Sequence, residues 1–190
     1  RGLGDVYKRQ PLGVYGQLMA AIGGKRPGIL THVGLHTYAD PRQEGCKIND
    51  RAKEQGREIV ELVKVDGKDY LFYKAFHIDA CILHASYADE LGNISLQDEP
   101  IRGELLELAA AVHNNGGTVI VEVKNIVKAG SLDPRQVLIH KSYVDYLVKT
   151  EKEDNIALAY SPSLIGDIRV PTEGSVKPLA LSLSLIHISE

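Results

Sequence analysis

The sequence predicts an α/β architecture built on parallel strands, and three stretches carry that prediction. Ile78 to Ser86 is a nearly continuous apolar run. Glu104 to His113 sets Leu105, Leu108, Ala109 and Val112 on one stripe, and Thr118 to Lys124 centres on Val119, Ile120 and Val121. An apolar run of strand length fits a strand covered on both faces. A stripe at helical spacing buries one side of a helix. Strand, helix and strand in succession form a βαβ unit, with parallel neighbours and a right-handed crossover.

The other elements follow in chain order. Val14 to Ala21 reads as the tail of a helix closed by Gly23-Gly24. Pro27-Gly28 turns the chain into a short strand, Ile29 to Val33. Gly34 to Arg57 is polar, glycine-bearing and long for a structureless connection; such loops are usually functional or mobile. Ile59 to Val65 and Tyr70 to Tyr73 flank Asp66-Gly67, a strong hairpin signal because this turn needs positive φ. Pro100 ahead and Gly116-Gly117 behind bracket the Glu104 to His113 helix. Tyr143 to Val148 is expected to add a strand. Ala88 to Ile94 and Gly130 to Arg135 read as tight turns. Glu151 to Ser182, rich in proline, glycine and charge, reads as a linker or surface strap between domains.

The two ends are expected to be foreign to the fold. Asp5 to Gln10 can be written GAT GTG TAT AAG AGA CAG, and the reverse complement of that string translates as Leu183 to Ile188. An inverted DNA repeat of this kind resembles the mosaic end of a transposon used to build sequencing libraries. Residues 1–10 and 183–190 are therefore set aside, and the natural sequence is expected to run from Pro11 to Ser182.

The 190 residues carry 22 Lys+Arg against 25 Asp+Glu, a mild acidic balance without a basic run, which argues against nucleic acid as a partner. No apolar run approaches the roughly 20 residues of a membrane helix. Cys46 and Cys81 lack metal-ligand spacing, and suggest a reducing, cytoplasmic setting without a disulfide framework. His32 and His36 stand four apart, but Gly34 and the flanking residues favour strand and loop, where such positions lie ~13 Å apart. No metal site is expected. Ala21-Ile22-Gly23-Gly24-Lys25 follows a helix rather than a strand, so a helix cap outweighs a phosphate loop. His84, in an apolar strand, reads as a hydrogen-bonded core or rim histidine, and no Gly-x-Ser-x-Gly elbow is present.

Several segments resemble, in order, the short-chain acyl-CoA:carboxylate CoA-transferases. They are Val33-Gly34-Leu35-His36-Thr37-Tyr38-Ala39-Asp40-Pro41-Arg42 with Gly45 and Lys47-Ile48-Asn49, then Tyr70 to Phe76, then Ala88-Asp89-Glu90-Leu91-Gly92-Asn93-Ile94. Asn115 to Val121 with Gly130-Ser131-Leu132-Asp133-Pro134-Arg135, and Tyr143-Val144-Asp145-Tyr146, complete the set. The resemblance implies two related α/β domains, each an open, largely parallel sheet with helices on both faces. Residues 11–150 would be the later part of the first domain, truncated at both ends, and 151–182 a passage toward a missing second one. It implies CoA exchange between an acyl-CoA and a short-chain carboxylate through a glutamyl-CoA thioester. The nucleophilic glutamate is then expected beyond Ser182, with no catalytic residue here and no bound cofactor, since CoA arrives as part of the substrate. A homo-oligomer is expected for the parent. A non-catalytic partner subunit on the same scaffold, or a CoA-transferring lyase subunit, remain alternatives.

Both substrates of such an exchange are carboxylates or their thioesters, which makes the Gly34 to Asn49 loop the candidate active-site wall. Thr37 offers a hydroxyl and Arg42 a fork for a carboxylate. Tyr38, Asp40, Gly45 and Lys47 complete the candidate set. The competing reading makes Asp40-Pro41-Arg42 a turn whose arginine pairs with a neighbouring acid. The sequence departs from the family pattern at Cys46, where glycine is expected, and at His77, His84 and His140-Lys141, where proline, arginine and Pro-Gly are expected.

Overall fold

The computed structural model describes residues 10–151 apart from 55 and 57. The terminal stretches set aside above and nearly all of the 151–182 strap lie outside the described residues. Helix α1 (Leu12–Gly23) buries Val14, Leu18, Met19, Ala21 and Ile22. A Cβ built on Gly23 would lie 3.2 Å from the Ala110 backbone, so this glycine lets α1 cross the later helix α3 (Leu105–His113) closely as well as closing its own last turn. The side chains of Asn114 and Asn115 donate to Gly23 O at 2.8 Å and Ile22 O at 3.1 Å, satisfying carbonyls that a helix end leaves open.

Strands β1 (Gly28–Thr31), β2 (Val60–Val65) and β3 (Lys68–Lys74) form an antiparallel sheet in the order β1-β3-β2. Its hairpin turns on Asp66 (φ 49°) and Gly67 (φ 72°), the positive pair that Asp-Gly predicts. The short helix α2 (Asp50–Glu54) interrupts the long predicted loop, with Asn49 Oδ1 accepting from Ala52 N at 3.0 Å.

The larger sheet holds β4 (Ala80–Asp89), β5 (Ile94–Ser95), β6 (Thr118–Val127), β7 (Val137–Ile139) and β8 (Tyr146–Lys149), in the order β7-β5-β4-β6-β8. The β4–α3–β6 unit is parallel, as the sequence predicts, and β8 joins β6 in parallel. β5 and β7 run antiparallel, so the open sheet is mixed. These two elements were not anticipated because two or three residues carry no periodicity. The strand expected from Tyr143 starts at Tyr146 because Lys141–Tyr143 forms a 3-10 turn.

Helix α3 (Leu105–His113) sits between the layers. Ala109 and Val112 pack with Cys81, Leu83, Val119 and Val121 of the larger sheet. Ala111 joins α1 with Val60, Leu71 and Tyr73 of the smaller one. Each large side chain buried in this way contributes ~1.5–3 kcal/mol relative to exposure. The other face of the larger sheet is open among the described residues. Leu83 is buried under α3, whereas Ile82 is 74% exposed, with Tyr146 at 63% and Val148 at 44% on neighbouring strands. The apolar run from Ile78 is therefore covered by described residues on one face only, because both long helices stack on the same side. No described helix is long and apolar enough to cross a membrane.

Candidate functional site

The loop after β1 is tied down at its root. Tyr73 donates to Val33 O at 2.9 Å, and a Cβ on Gly34 (φ 97°) would meet the Tyr73 hydroxyl at 2.4 Å, so only glycine passes there. Asp40, 1% exposed, organises the rest. Its carboxylate accepts from His36 N at 2.9 Å, Arg42 N at 3.0 Å, Arg42 Nε at 2.9 Å and Arg42 Nη2 at 2.7 Å. The hydrogen-bonded Arg42 guanidinium outweighs the effect of burial and holds the Asp40 carboxyl well below the usual carboxylate range. Arg42 Nη1 reaches Asp69 Oδ2 at 2.9 Å, fastening the loop to the β2–β3 hairpin.

The structure thus brings the candidate loop residues into one wall and gives most of them protein partners. Thr37 Oγ1 donates to Gly34 O at 2.8 Å, and Tyr38 O accepts from Cys46 N at 3.0 Å. Gly45 N donates to Asp40 O at 3.1 Å, and Lys47 pairs with Glu58. The guanidinium of Arg42 is engaged by two aspartates, as the turn reading of Asp40-Pro41-Arg42 requires. A groove of about 460 Å³ runs beside the wall, lined among others by Pro41, Gly45, Lys47, Lys53 and Glu58. His32 stacks on Tyr70 with ring centroids 4.0 Å apart, and among the described residues no cluster of three or more His, Cys, Asp or Glu could hold a metal ion.

A second groove, of about 400 Å³, opens at the carboxyl end of β4, where open α/β sheets generally bind ligands. Asp89, Asn93, Gly130, Pro134, Val137 and His140 line it, so the turns after β4 and β6 meet here. Asp89 accepts from Leu91 N at 3.0 Å, Asn93 N at 2.9 Å and Asn93 Nδ2 at 2.9 Å. Burial works against its ionisation, but donors on Asn93, Leu91 and Gly130 outweigh it and hold the carboxyl below its ordinary value. Asn93 Oδ1 in turn accepts from Lys141 N at 3.2 Å, tying the turn to the segment before β8. Both turns read from the sequence are present, and His140 stands on the rim of what they build.

Sequence reasoning missed a third group. On the open face of the larger sheet, His84 Nε2 lies 3.4 Å from Glu99 Oε1, and His84 Nδ1 lies 3.8 Å from Glu122 Oε2. Nε2 is buried and makes no hydrogen bond. The Glu99 side chain is only 8% exposed, and its nearest donor, Ser86 Oγ, is 3.4 Å away. Burial pushes the Glu99 carboxyl up and Asp98 adds to the push, while His84, Ser86 and Lys124 draw it down without offsetting it. Glu122 accepts from Thr150 Oγ1 at 2.7 Å, and Lys124 is held by Asp98 at 3.0 Å. The available signal was the parallel register of β4 and β6, which sets His84 beside Glu122.

Comparison with known proteins places these features. The coenzyme A transferase family matches residues 10–150. A caffeate CoA-transferase of Acetobacterium woodii is 41% identical over 165 residues, covering 85% of this chain and 31% of that protein. An acetate CoA-transferase of Escherichia coli, YdiF, is 39% identical over 138 residues, covering 73% of this chain and 25% of that protein. A solved structure of an Escherichia coli acyl-CoA transferase (YdiF), a thioester complex with CoA, superposes with a TM-score of 0.77 at 32% identity, covering 87% of this chain and 34% of that one. The chain therefore spans about a third or less of these relatives.

Proposed function

This chain belongs to the coenzyme A transferase family, and we propose that it is part of an enzyme exchanging CoA between a short-chain acyl-CoA and a carboxylate acceptor. The observation that carries the reading is the match over residues 10–150, together with the shared fold of an acyl-CoA transferase caught as a CoA thioester. The exchange proceeds in balanced steps. A glutamate carboxylate attacks the acyl-CoA thioester, giving an acyl-glutamyl anhydride and CoA thiolate. The thiolate attacks the glutamyl carbonyl, releasing the first carboxylate and leaving a glutamyl-CoA thioester. The second carboxylate then reverses the sequence and leaves with CoA. Covalent catalysis of this kind splits one difficult exchange into easier steps and conserves the thioester bond energy.

No described glutamate is assigned the nucleophile's role. Glu99 is pushed toward its neutral form and Glu122 is tied to Thr150. The nucleophile is proposed to lie in a second α/β domain of a longer polypeptide, with residues 34–49 as one wall of the cleft between domains. CoA enters as substrate, with no prosthetic group, and the parent is proposed to be a homo-oligomer. The second reading, a non-catalytic partner subunit, draws on a Helicobacter pylori relative named as one subunit of a succinyl-CoA:3-ketoacid coenzyme A transferase, 30% identical over 120 residues.

Reading the source gene across both ends of this chain and expressing the longer product tests the proposal. A frame that continues into a second α/β domain with a glutamate on a glycine-rich turn is expected. Mutation of that glutamate to glutamine should then abolish exchange of labelled acetate with acetyl-CoA. The 190-residue chain alone should show no exchange. A longer frame without such a glutamate transfers the assignment to the partner-subunit reading.

A further inference from the structure

The turn that ends α1 carries more positive charge than the helix needs. The carbonyls of its last turn are all taken: Ala20 O by Gly24 N at 3.0 Å, Ala21 O by Arg26 N at 2.8 Å, Ile22 O by Lys25 N at 2.9 Å and Gly23 O by Asn114 Nδ2 at 2.8 Å. This cap is complete without the side chains of Lys25 and Arg26. Those side chains instead line a cleft of about 320 Å³, together with Ile22, Phe76, His77 and Asn115. Ala75 N donates to Pro27 O at 2.8 Å and Asn115 Nδ2 to Ile22 O at 3.1 Å, so the three segments around the cleft meet in a fixed arrangement. No acidic residue lines it among the described residues; Asp79, almost fully exposed, stands beside it with Oδ1 3.3 Å from His77 Nε2. Lys25 lies at φ 54°, in the left-handed region that favours glycine, so a costly conformation keeps a lysine here. His77 stands where the family resemblance leads to proline, so its imidazole is not part of the family pattern.

We infer that this cleft binds a phosphate-bearing small molecule. Lys25 and Arg26 meet its phosphoryl oxygens with charge-assisted hydrogen bonds, His77 adds an imidazole N–H, and Ile22 and Phe76 back the organic part. Donors from three side chains match the three terminal oxygens of a phosphate monoester, whereas a carboxylate offers two oxygens and a single charge. A cleft of this volume, in a chain of mild acidic balance without a basic run, suits a small molecule rather than a nucleic-acid backbone. The inference does not depend on the transferase reading. CoA, whose adenosine carries a diphosphate and a 3′-phosphate, is one source of this chemistry, and a free phosphate compound is the other.

NMR titration of the isotopically labelled 190-residue chain tests this with two probes at constant ionic strength, inorganic pyrophosphate and adenosine 3′,5′-bisphosphate. Both are expected to bind saturably and to shift the signals of residues 24–26 and 75–77. Arg26→Gln should weaken binding about tenfold, and His77→Pro, which restores the family residue, about threefold. Lys25→Gly separates a ligand role from a structural one. It relieves the left-handed backbone and should raise the urea midpoint, yet weaken binding about tenfold. The exposed control Lys149→Gln should change neither. Bisphosphate bound at least about tenfold tighter than pyrophosphate upholds the site as one for a nucleotide such as the adenosine end of CoA. Equal affinities uphold it as one for a free phosphate compound. Absence of saturation below about 10 mM overturns the inference, as does binding that Lys25→Gly and Arg26→Gln leave intact or that is lost only together with stability.

Discussion

Asp40 and Glu99 are both nearly buried carboxylates, and they have met opposite fates. Asp40 receives two backbone N–H groups and one edge of a guanidinium, Arg42 Nε and Nη2, all from within residues 36–42. Glu99 receives a distant serine hydroxyl, an imidazole that makes no hydrogen bond to it and the charge of Lys124 from further off. Accordingly the Asp40 carboxyl is held far down and the Glu99 carboxyl is pushed up. The difference teaches that the number of close donors, rather than burial, sets the two carboxyls apart. The Asp40 loop is finished by its own sequence, so it is a rigid wall against which something else can bind. The Glu99 cluster has fewer donors, with His84 Nε2 and Ser86 Oγ each 3.4 Å away and Lys124 acting only through its charge.

The largest expected effect breaks the finished site. Asp40→Ala strands two backbone donors and a guanidinium, and should cost about 3 kcal/mol in urea denaturation. The glutamine change at Glu99 removes a charge that burial already disfavours. It should leave stability at neutral pH unchanged or raise it by less than about 1 kcal/mol. Equal losses at the two positions would erase the distinction.

Titration sharpens it, because the two groups bend stability in opposite directions. The Asp40 pKa is lowered on folding, so its contribution is fully present above the unfolded value of about 3.9 and is lost as pH falls below it. The Glu99 pKa is raised on folding. Its protonated form favours the folded state, and stability declines as pH rises from about 4.3 through the higher folded value. Denaturation midpoints measured between about pH 3 and pH 7 should show Asp40→Asn weakening the acid-side loss, and Glu99→Gln removing the decline above it. An unchanged profile in either variant removes that group from the account.

How much was legible follows from where each site's residues sit in the chain. The βαβ unit, the Asp-Gly hairpin and both glycine-stopped helices announce themselves through local periodicity and turn chemistry. The candidate loop was equally readable because Gly34, Asp40, Arg42 and Gly45 are neighbours in sequence, and both readings of it used the same residues. What sequence reasoning left open was whether the Arg42 fork faces a substrate or an acid, and Asp69, from a different strand, engages it. The Glu99 cluster was illegible for the same reason in stronger form. It gathers residues from β4, β6 and the segment after β5, and only strand register brings them together. The nearly continuous apolarity of residues 80–83 hid the alternation that leaves Ile82 outside and Leu83 inside.

A smaller change should give the Glu99 cluster a stronger cation. Family resemblance led us to expect arginine where His84 stands, and two carboxylates lie within 3.8 Å of the His84 ring nitrogens. An arginine there could serve both. His84→Arg should raise the stability of this chain by about 1 kcal/mol and return the Glu99 carboxyl toward its ordinary value. Thermal unfolding and carboxyl-carbon NMR titration would check the two parts separately. A loss of stability would mean that the pocket is shaped for the imidazole rather than short of a cation.

The smallest expected effect returns to the finished loop. Cys46 departs from the glycine that the family pattern leads us to expect, and the backbone there has kept the glycine conformation, with φ at 66°. A side chain in that region costs on the order of 1 kcal/mol, and the buried thiol recovers part of this by packing near Ala39. Cys46→Gly relieves the backbone and forfeits the packing, so it should shift the urea midpoint by less than about 0.5 kcal/mol in free energy. Cys46→Ala keeps the strain and loses the sulfur, and should be about 1 kcal/mol worse than either. The order of the three residues decides the matter: if alanine is better tolerated than glycine, the left-handed backbone at position 46 carries no strain, and the thiol was retained for its packing alone.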